Sequence, residues 1–187
     1  MIPIKNRKKT LEVTVEEMRN LSFSYLEKFS PSKQQLKTYL LKKYLKYSNP
    51  KNKKQDIIHL IDIVLLDLEK TKFISDKFYS ESKAKNLIQK GSSINKIRNY
   101  LISKGISNKY VKETINQINE NNENQDFFSA IKLCKRKKIG PSRPEDNRPL
   151  FYKKDISILA RSGFSYETSK KVLDIPKSEY IKFCKML

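Results

Sequence analysis

The chain is 187 residues long and carries 40 Lys and Arg against 20 Asp and Glu, a formal net charge of +20. That length allows one sizeable domain or a short array of small ones. So large an excess of positive charge points to a polyanion or an acidic assembly as partner, although an AT-rich genome also inflates Lys, Asn and Ile and leaves much of that charge as solvated surface. Two isolated cysteines, Cys134 and Cys184, and a single histidine, His59, exclude a disulfide framework, a zinc quartet and a His-dependent catalytic set. No catalytic residue, metal or cofactor is therefore expected, and the protein reads as a non-enzyme.

The opening MIPIKNRKKTLEV places Lys5, Arg7, Lys8 and Lys9 in a basic arm over residues 1–12, without the apolar run of a signal peptide. The strongest apolar stretch, IIHLIDIVLLDL at 57–68, is short and interrupted by Asp62 and Asp67. A soluble, cytoplasmic protein with buried thiols is expected. Helical periodicity starts near Val15, with Met18, Leu21, Tyr25 and Phe29 on one face, and Ser30-Pro31-Ser32 breaks it. Ser32 and Gln35 fit a capping box, and Leu36, Leu40, Tyr44 and Tyr47 form the buried stripe of a second helix. After a polar loop at 47–55, a helix over about 55–71 is apolar around most of its circumference, with His59 read as a core histidine. These helices make a first unit, 13–72.

A second unit, 73–122, repeats the plan. A Ser75/Asp76 cap starts a helix with Phe78, Ala84, Leu87 and Ile88 facing inward; Ser93 caps the next, with Ile94, Ile97 and Leu101; Val111, Ile115 and Ile118 mark a third. In the third unit, 123–187, Phe127, Phe128, Ile131 and Leu133 begin a helix that ends in KRKK at 135–138. A proline-rich loop at 139–150 follows, then DISILARS, SYETSKKVL and a closing helix. No segment alternates with period two for long enough to make a sheet. The fold class is all-α: three tandem three-helix repeats forming an elongated, curved, solenoid-like rod, expected to be monomeric because its like-charged surfaces repel.

Two of the four glycines fall in one frame, Gly105-Ile106-Ser107 and Gly163-Phe164-Ser165. In each, the glycine supplies the left-handed residue that ends a helix, the apolar residue folds back onto the last turn, and the serine caps the next helix. Aligning Ser32 with Ser93 superposes Leu36 on Ile97, Leu40 on Leu101 and Lys43 on Lys104. Tyr44 then stands where Gly105 does, so the first joint turns differently.

In the stretches YLEKFSPSKQQLKTYLLKK (25–43), FISDKFYSESKAKNLIQKGSSINKIRNYLISKGIS (73–107) and LARSGFSYETSKKVL (159–173), the chain resembles the RecX family of recombination regulators. The resemblance covers most of its length and rests on the order and spacing of these segments. It departs in the long 47–55 loop, at Tyr44, and at Ser75, where the family often has a second acidic residue. The resemblance implies three repeats of three helices. It also implies binding within the helical groove of RecA nucleoprotein filaments, RecA on single-stranded DNA, with lowered ATP hydrolysis, strand exchange and LexA-cleavage support.

Candidate partner-binding residues are Lys37, Lys42, Lys43 and Lys46, interleaved with Tyr39, Tyr44 and Tyr47; Arg98 beside the Ile97 stripe; and Lys104 and Arg161 next to the glycine joints. The alternative for each is a solvated helix face or an internal ion pair. The Lys135–Lys138 run with Arg143 and Arg148 reads either as a flexible contact for an anionic partner or as helix-end charge. Two functions remain open: a protein-directed filament modulator, and a basic helical-repeat protein that binds single- or double-stranded nucleic acid directly.

Overall fold

The structure, a computed structural model, describes residues 10–187. Among them the chain forms ten α-helices and no extended strand: α1 Val15–Leu26, α2 Lys33–Tyr47, α3 Lys54–Lys70, α4 Asp76–Gln89, α5 Ile94–Ser103, α6 Asn108–Asn121, α7 Gln125–Lys137, α8 Arg148–Arg161, α9 Tyr166–Leu173 and α10 Lys177–Met186. The fold is all-α, as the periodicity requires. The helices group into two compact units, the first comprising the chain through Tyr79 together with Lys104–Ile106, the second Ser80–Ser103 and Ser107–Leu187. The division passes through α4 and through the Gly105 joint.

In the first unit α1, α2 and α3 close over Met18, Leu36, Leu40, Tyr44, Ile61 and Leu65. The Ser32/Gln35 capping box forms as expected, with Ser32 Oγ accepting from Gln35 N and Gln35 Oε1 accepting from Ser32 N. Because Tyr44 packs into the core, α2 runs on to Tyr47 where the later repeats turn at glycine. Its hydroxyl has no hydrogen-bond partner among the described residues, and burial, helped by Glu17, pushes its pKa up to about 12.

Three expectations for this unit need correction. Phe29 is 56% exposed, because α1 stops at Leu26 and the following turn carries the ring outward. α3 buries Ile57, Ile61, Val64, Leu65 and Leu68 but shows Ile63, Leu66 and His59 on its outer side, so His59 is a surface residue. Phe78 is 70% exposed in the first turn of α4. A stripe drawn at spacings of three and four leaves the width of the buried face undetermined. Of the expected arm, Lys5, Arg7, Lys8 and Lys9 lie outside the described residues, whereas Leu11 is held: its N–H donates to the Tyr47 carbonyl at 2.9 Å.

The second unit packs α7, α8, α9 and α10 around Ile131, Cys134, Leu159, Phe164, Val172 and Leu173. The proline-rich segment folds into two short 3-10 turns, Gly140–Ser142 and Glu145–Asn147. Its organiser is Asp155, 1% exposed, which accepts from Gly140 N (2.8 Å), Arg143 Nε (2.8 Å) and Arg143 Nη2 (2.9 Å). Arg148 donates to the carbonyls of Leu173 (2.5 Å) and Ile175 (2.7 Å), at the end of α9. Both arginines are thus committed internally, which corrects their reading as a flexible anionic-partner contact.

Candidate docking surface

The serine caps do more than start helices. Ser32 Oγ accepts from Gln35 N and donates to the Lys104 carbonyl at 2.6 Å; Ser93 Oγ accepts from Lys96 N and donates to the Ser162 carbonyl at 2.8 Å. Each hydroxyl therefore ties the start of a helix, α2 or α5, to the residue just before a glycine joint, 72 and 69 residues further along the chain. A carboxylate completes each tie: Asp76 Oδ1 accepts from Lys33 N at 2.8 Å, and Asp126 Oδ1 accepts from Ile94 N at 2.7 Å. These serve backbone donors that a helix N-terminus leaves unsatisfied. At the joints themselves, Gly105 and Gly163 have φ of 77° and 87°, and Ile106 and Phe164 are both 4% exposed. Ser165 caps α9 by accepting from Thr168 N at 3.0 Å. Ser107 stands at the start of α6 but makes no side-chain cap bond there, correcting that expectation.

The two aspartates were not singled out as site residues. A signal was present: Asp76-Lys77-Phe78 and Asp126-Phe127-Phe128 occupy the same place in successive repeats. Burial raises both carboxyls above the usual aspartate range, against the opposing effect of the backbone N–H each accepts. A raised folded pKa favours folding fully below the unfolded value, and that contribution is lost as pH rises through the folded value. Asp126→Asn, which keeps the acceptor for Ile94 N and carries no charge, is therefore expected to match or exceed the parent's stability at neutral pH. Asp126→Ala should lose about 1 kcal/mol, the usual cost of removing a cap. Denaturation of both variants at pH 5 and pH 7 checks this, and equal losses for Asn and Ala would contradict it.

The candidate basic residues fall in both units. Lys37 is paired with Asp62 at 2.5 Å, as Lys33 is with Glu69 at 2.5 Å, so the first turns of α2 are locally balanced. Lys42 and Lys46 are exposed, and Lys43 is half-buried. Lys43 Nζ sits 5.7 Å and 5.6 Å from the ring centres of Tyr39 and Tyr47, and Lys46 Nζ lies 5.3 Å from Tyr47. Lys104 lies at the other end of α2, where its carbonyl meets Ser32, about 20 Å from Lys46 at 1.5 Å per residue. In the second unit, Arg98 projects from α5 into solvent, while Arg161 is exposed and turns its Nε back to the Ser157 carbonyl at 3.2 Å. The basic surface best defined by its own contacts is thus the C-terminal half of α2. Among the described residues no His, Cys, Asp and Glu group is arranged to hold a metal ion, and no helix is long and apolar enough to cross a membrane.

Helices joined by hydroxyl and carboxylate ties, with a basic surface along α2, define an all-α protein. No protein-family profile matches the chain. It is 26% identical over 175 residues, 89% of each chain, to the regulatory protein RecX of Myxococcus xanthus. It is 29% identical over 106 residues, 57% of this chain and 48% of the relative, to the regulatory protein RecX of Clostridium botulinum. Its fold matches the crystal structure of RecX from Lactobacillus salivarius with a TM-score of 0.60 at 16% identity, over 86% of this chain and 96% of that one. A second crystal structure of regulatory protein RecX gives 0.59 at 19% identity, over 86% and 74%. Sequence and fold likeness agree: over most of its length the chain is similar to regulatory proteins named RecX.

Proposed function

We propose that this protein regulates RecA by binding RecA nucleoprotein filaments in their helical groove, as a cytoplasmic monomer, and restraining ATP hydrolysis, strand exchange and coprotease activity. The observation that carries this reading is the likeness to a regulatory RecX protein over 89% of both chains. Three helical units, 13–72, 73–122 and 123–187, would offer one RecA filament several contacts at once, each raising the effective concentration of the next. The net charge of +20 favours an acidic groove built around DNA.

The test is a titration of RecA's single-stranded-DNA-dependent ATPase. Inhibition is expected well below one protein per RecA subunit, because a ligand that spans subunits or blocks growth acts on more than one of them. Absence of inhibition by folded protein at stoichiometric excess would refute the assignment. Lys42/Lys46→Glu and Arg98→Glu replace exposed side chains and locate the docking face; Lys37 is unsuited to this, since reversing its charge opposes Asp62.

A further inference from the structure

A continuous row of rings and cations runs across the first unit, from the turn after α1 along α2. The Phe29 ring lies 4.9 Å from Tyr25, and Tyr25 stacks on Tyr39 with centroids 4.0 Å apart and planes 21° from parallel. Lys43 then bridges Tyr39 and Tyr47, and Lys46 covers Tyr47 from its other neighbour position. Phe29, at the open end, is 56% exposed. At the other end Lys46 and Tyr47 enter an open cleft of about 430 Å³, completed by Thr10, Ser48, Asn49 and Pro50. Only core packing is needed for folding, and an exposed phenylalanine at the head of a stack contributes little to that.

The charge on this face is uncompensated. α2 has no acidic residue of its own. The acids that reach it from α3, Glu69 and Asp62, are taken by Lys33 and Lys37. Lys42, Lys43 and Lys46 form no ion pair among the described residues. The surface thus presents the exposed Phe29 ring at one end, ammonium groups without a carboxylate partner along α2, and a cleft with hydroxyl and amide side chains at the other end.

We propose that this ladder and its cleft are a stacking site for single-stranded nucleic acid. An unpaired base has a free face to place on the exposed Phe29 ring, continuing the Tyr25–Tyr39 stack, whereas a duplex keeps its bases stacked on one another. Phosphates fall to Lys42, Lys43 and Lys46, releasing counterions. An acidic peptide would satisfy the lysines but leave the Phe29 ring unused, so the exposed ring at the head of the stack favours the nucleic acid. The site goes beyond filament docking and operates without RecA.

The test measures binding of a fluorescent oligothymidylate and of an abasic strand of equal charge by anisotropy, in the absence of RecA, between about 50 and 200 mM salt. Lys43/Lys46→Gln should reduce the slope of log affinity against log salt by ~1.4, at about 0.7 per phosphate contact on a single strand. The matched control Lys153/Lys154→Gln on α8 should leave that slope unchanged. Phe29→Leu, which keeps apolar bulk at an exposed position and removes the ring, should weaken oligothymidylate by roughly 5- to 160-fold, the range for one lost base stack, and leave the abasic strand unaffected. Equal affinity for the two strands, equal effects of both lysine pairs, or tighter binding of oligoglutamate at this face would each overturn the proposal. So would failure of the folded protein to bind oligothymidylate at the lowest salt. None of these results bears on RecA inhibition, which is measured separately.

Discussion

Asp155→Ala should destabilise the second unit by about 3 kcal/mol, the lower end of what removing one partner of a buried ion pair costs, because Arg143 retains 20% of its side-chain exposure and can turn partly to water. The loss has several parts. Gly140 N–H is left without its acceptor, both guanidinium bonds disappear, and Gly140–Ser142 loses what fixes it beneath α8. That turn also carries Ser142, whose hydroxyl is hydrogen-bonded to Tyr180 of α10. Arg143 is stacked 4.4 Å from the Phe151 ring centre, so its release loosens α8 on its outer side as well. Chemical denaturation gives the magnitude, and a change under 1 kcal/mol would show that the pair only decorates a loop held by its prolines.

The same carboxylate fixes the sign of an acid effect. Burial acts to raise the pKa of Asp155, but the Arg143 guanidinium, the Gly140 N–H and the charges of Arg143 and Lys154 outweigh it, and the carboxyl is held below the usual aspartate range. Its contribution is therefore present above the unfolded pKa, about 4, and is lost as pH falls through the folded value. Asp155→Asn, which does not titrate, should be clearly less stable than the parent at pH 6, with the gap narrowing below about pH 4. Asp126 behaves oppositely, since its carboxyl has one backbone donor and no guanidinium to offset burial. Two aspartates in one unit, Asp155 buried and Asp126 half-buried, thus respond to acid with opposite signs, decided by the number and charge of their donors.

Elements that depend on local chemistry were legible in the sequence. Ser32 with Gln35, Ser93, and the two glycines after apolar stripes each carry their own signal, because capping and left-handed backbone are settled within about four residues. Side chains whose role depends on distant partners were harder to place. Nothing near Arg143 announces Asp155, twelve positions away across two prolines, and the arginine reads equally well as a free charge. Lys37 looked like its neighbours on α2 until Asp62 was brought beside it by the packing of α3. Phe29 and Phe78 kept the right spacing yet fell outside the core, since periodicity gives the direction of a face and tertiary contact decides where it ends. The aspartate ties sit between these cases: their repeat position is visible, but their acceptor role requires knowing which helix start comes next to them.

Gly163→Val should cost about 3 kcal/mol, and Gly105→Val at least as much, for different physical reasons. Both positions hold left-handed backbone that a β-branched residue adopts only with strain of about 1–2 kcal/mol. The difference lies in what the new side chain meets. A Cβ at Gly163 would come within 2.5 Å of Ser93 Oγ and 3.3 Å of Lys96 N, so the valine displaces the hydroxyl that caps α5 and bonds to the Ser162 carbonyl. A lost cap adds about 1 kcal/mol. At Gly105 the new Cβ would come within 2.4 Å of Gln34 Cβ and 2.6 Å of its Cγ, in the first turn of α2, so relief requires the α2 backbone itself to move, and Ser32 is not among the nearest atoms. Removing the Ser93 hydroxyl first should therefore absorb part of the Gly163 penalty: Ser93→Ala and Gly163→Val combined should cost about 1 kcal/mol less than the sum of the singles, as expected for residues that share a contact. Ser32→Ala with Gly105→Val should be close to additive. Additivity at both joints would show that the glycines act through backbone conformation alone and that the serine ties are incidental to them.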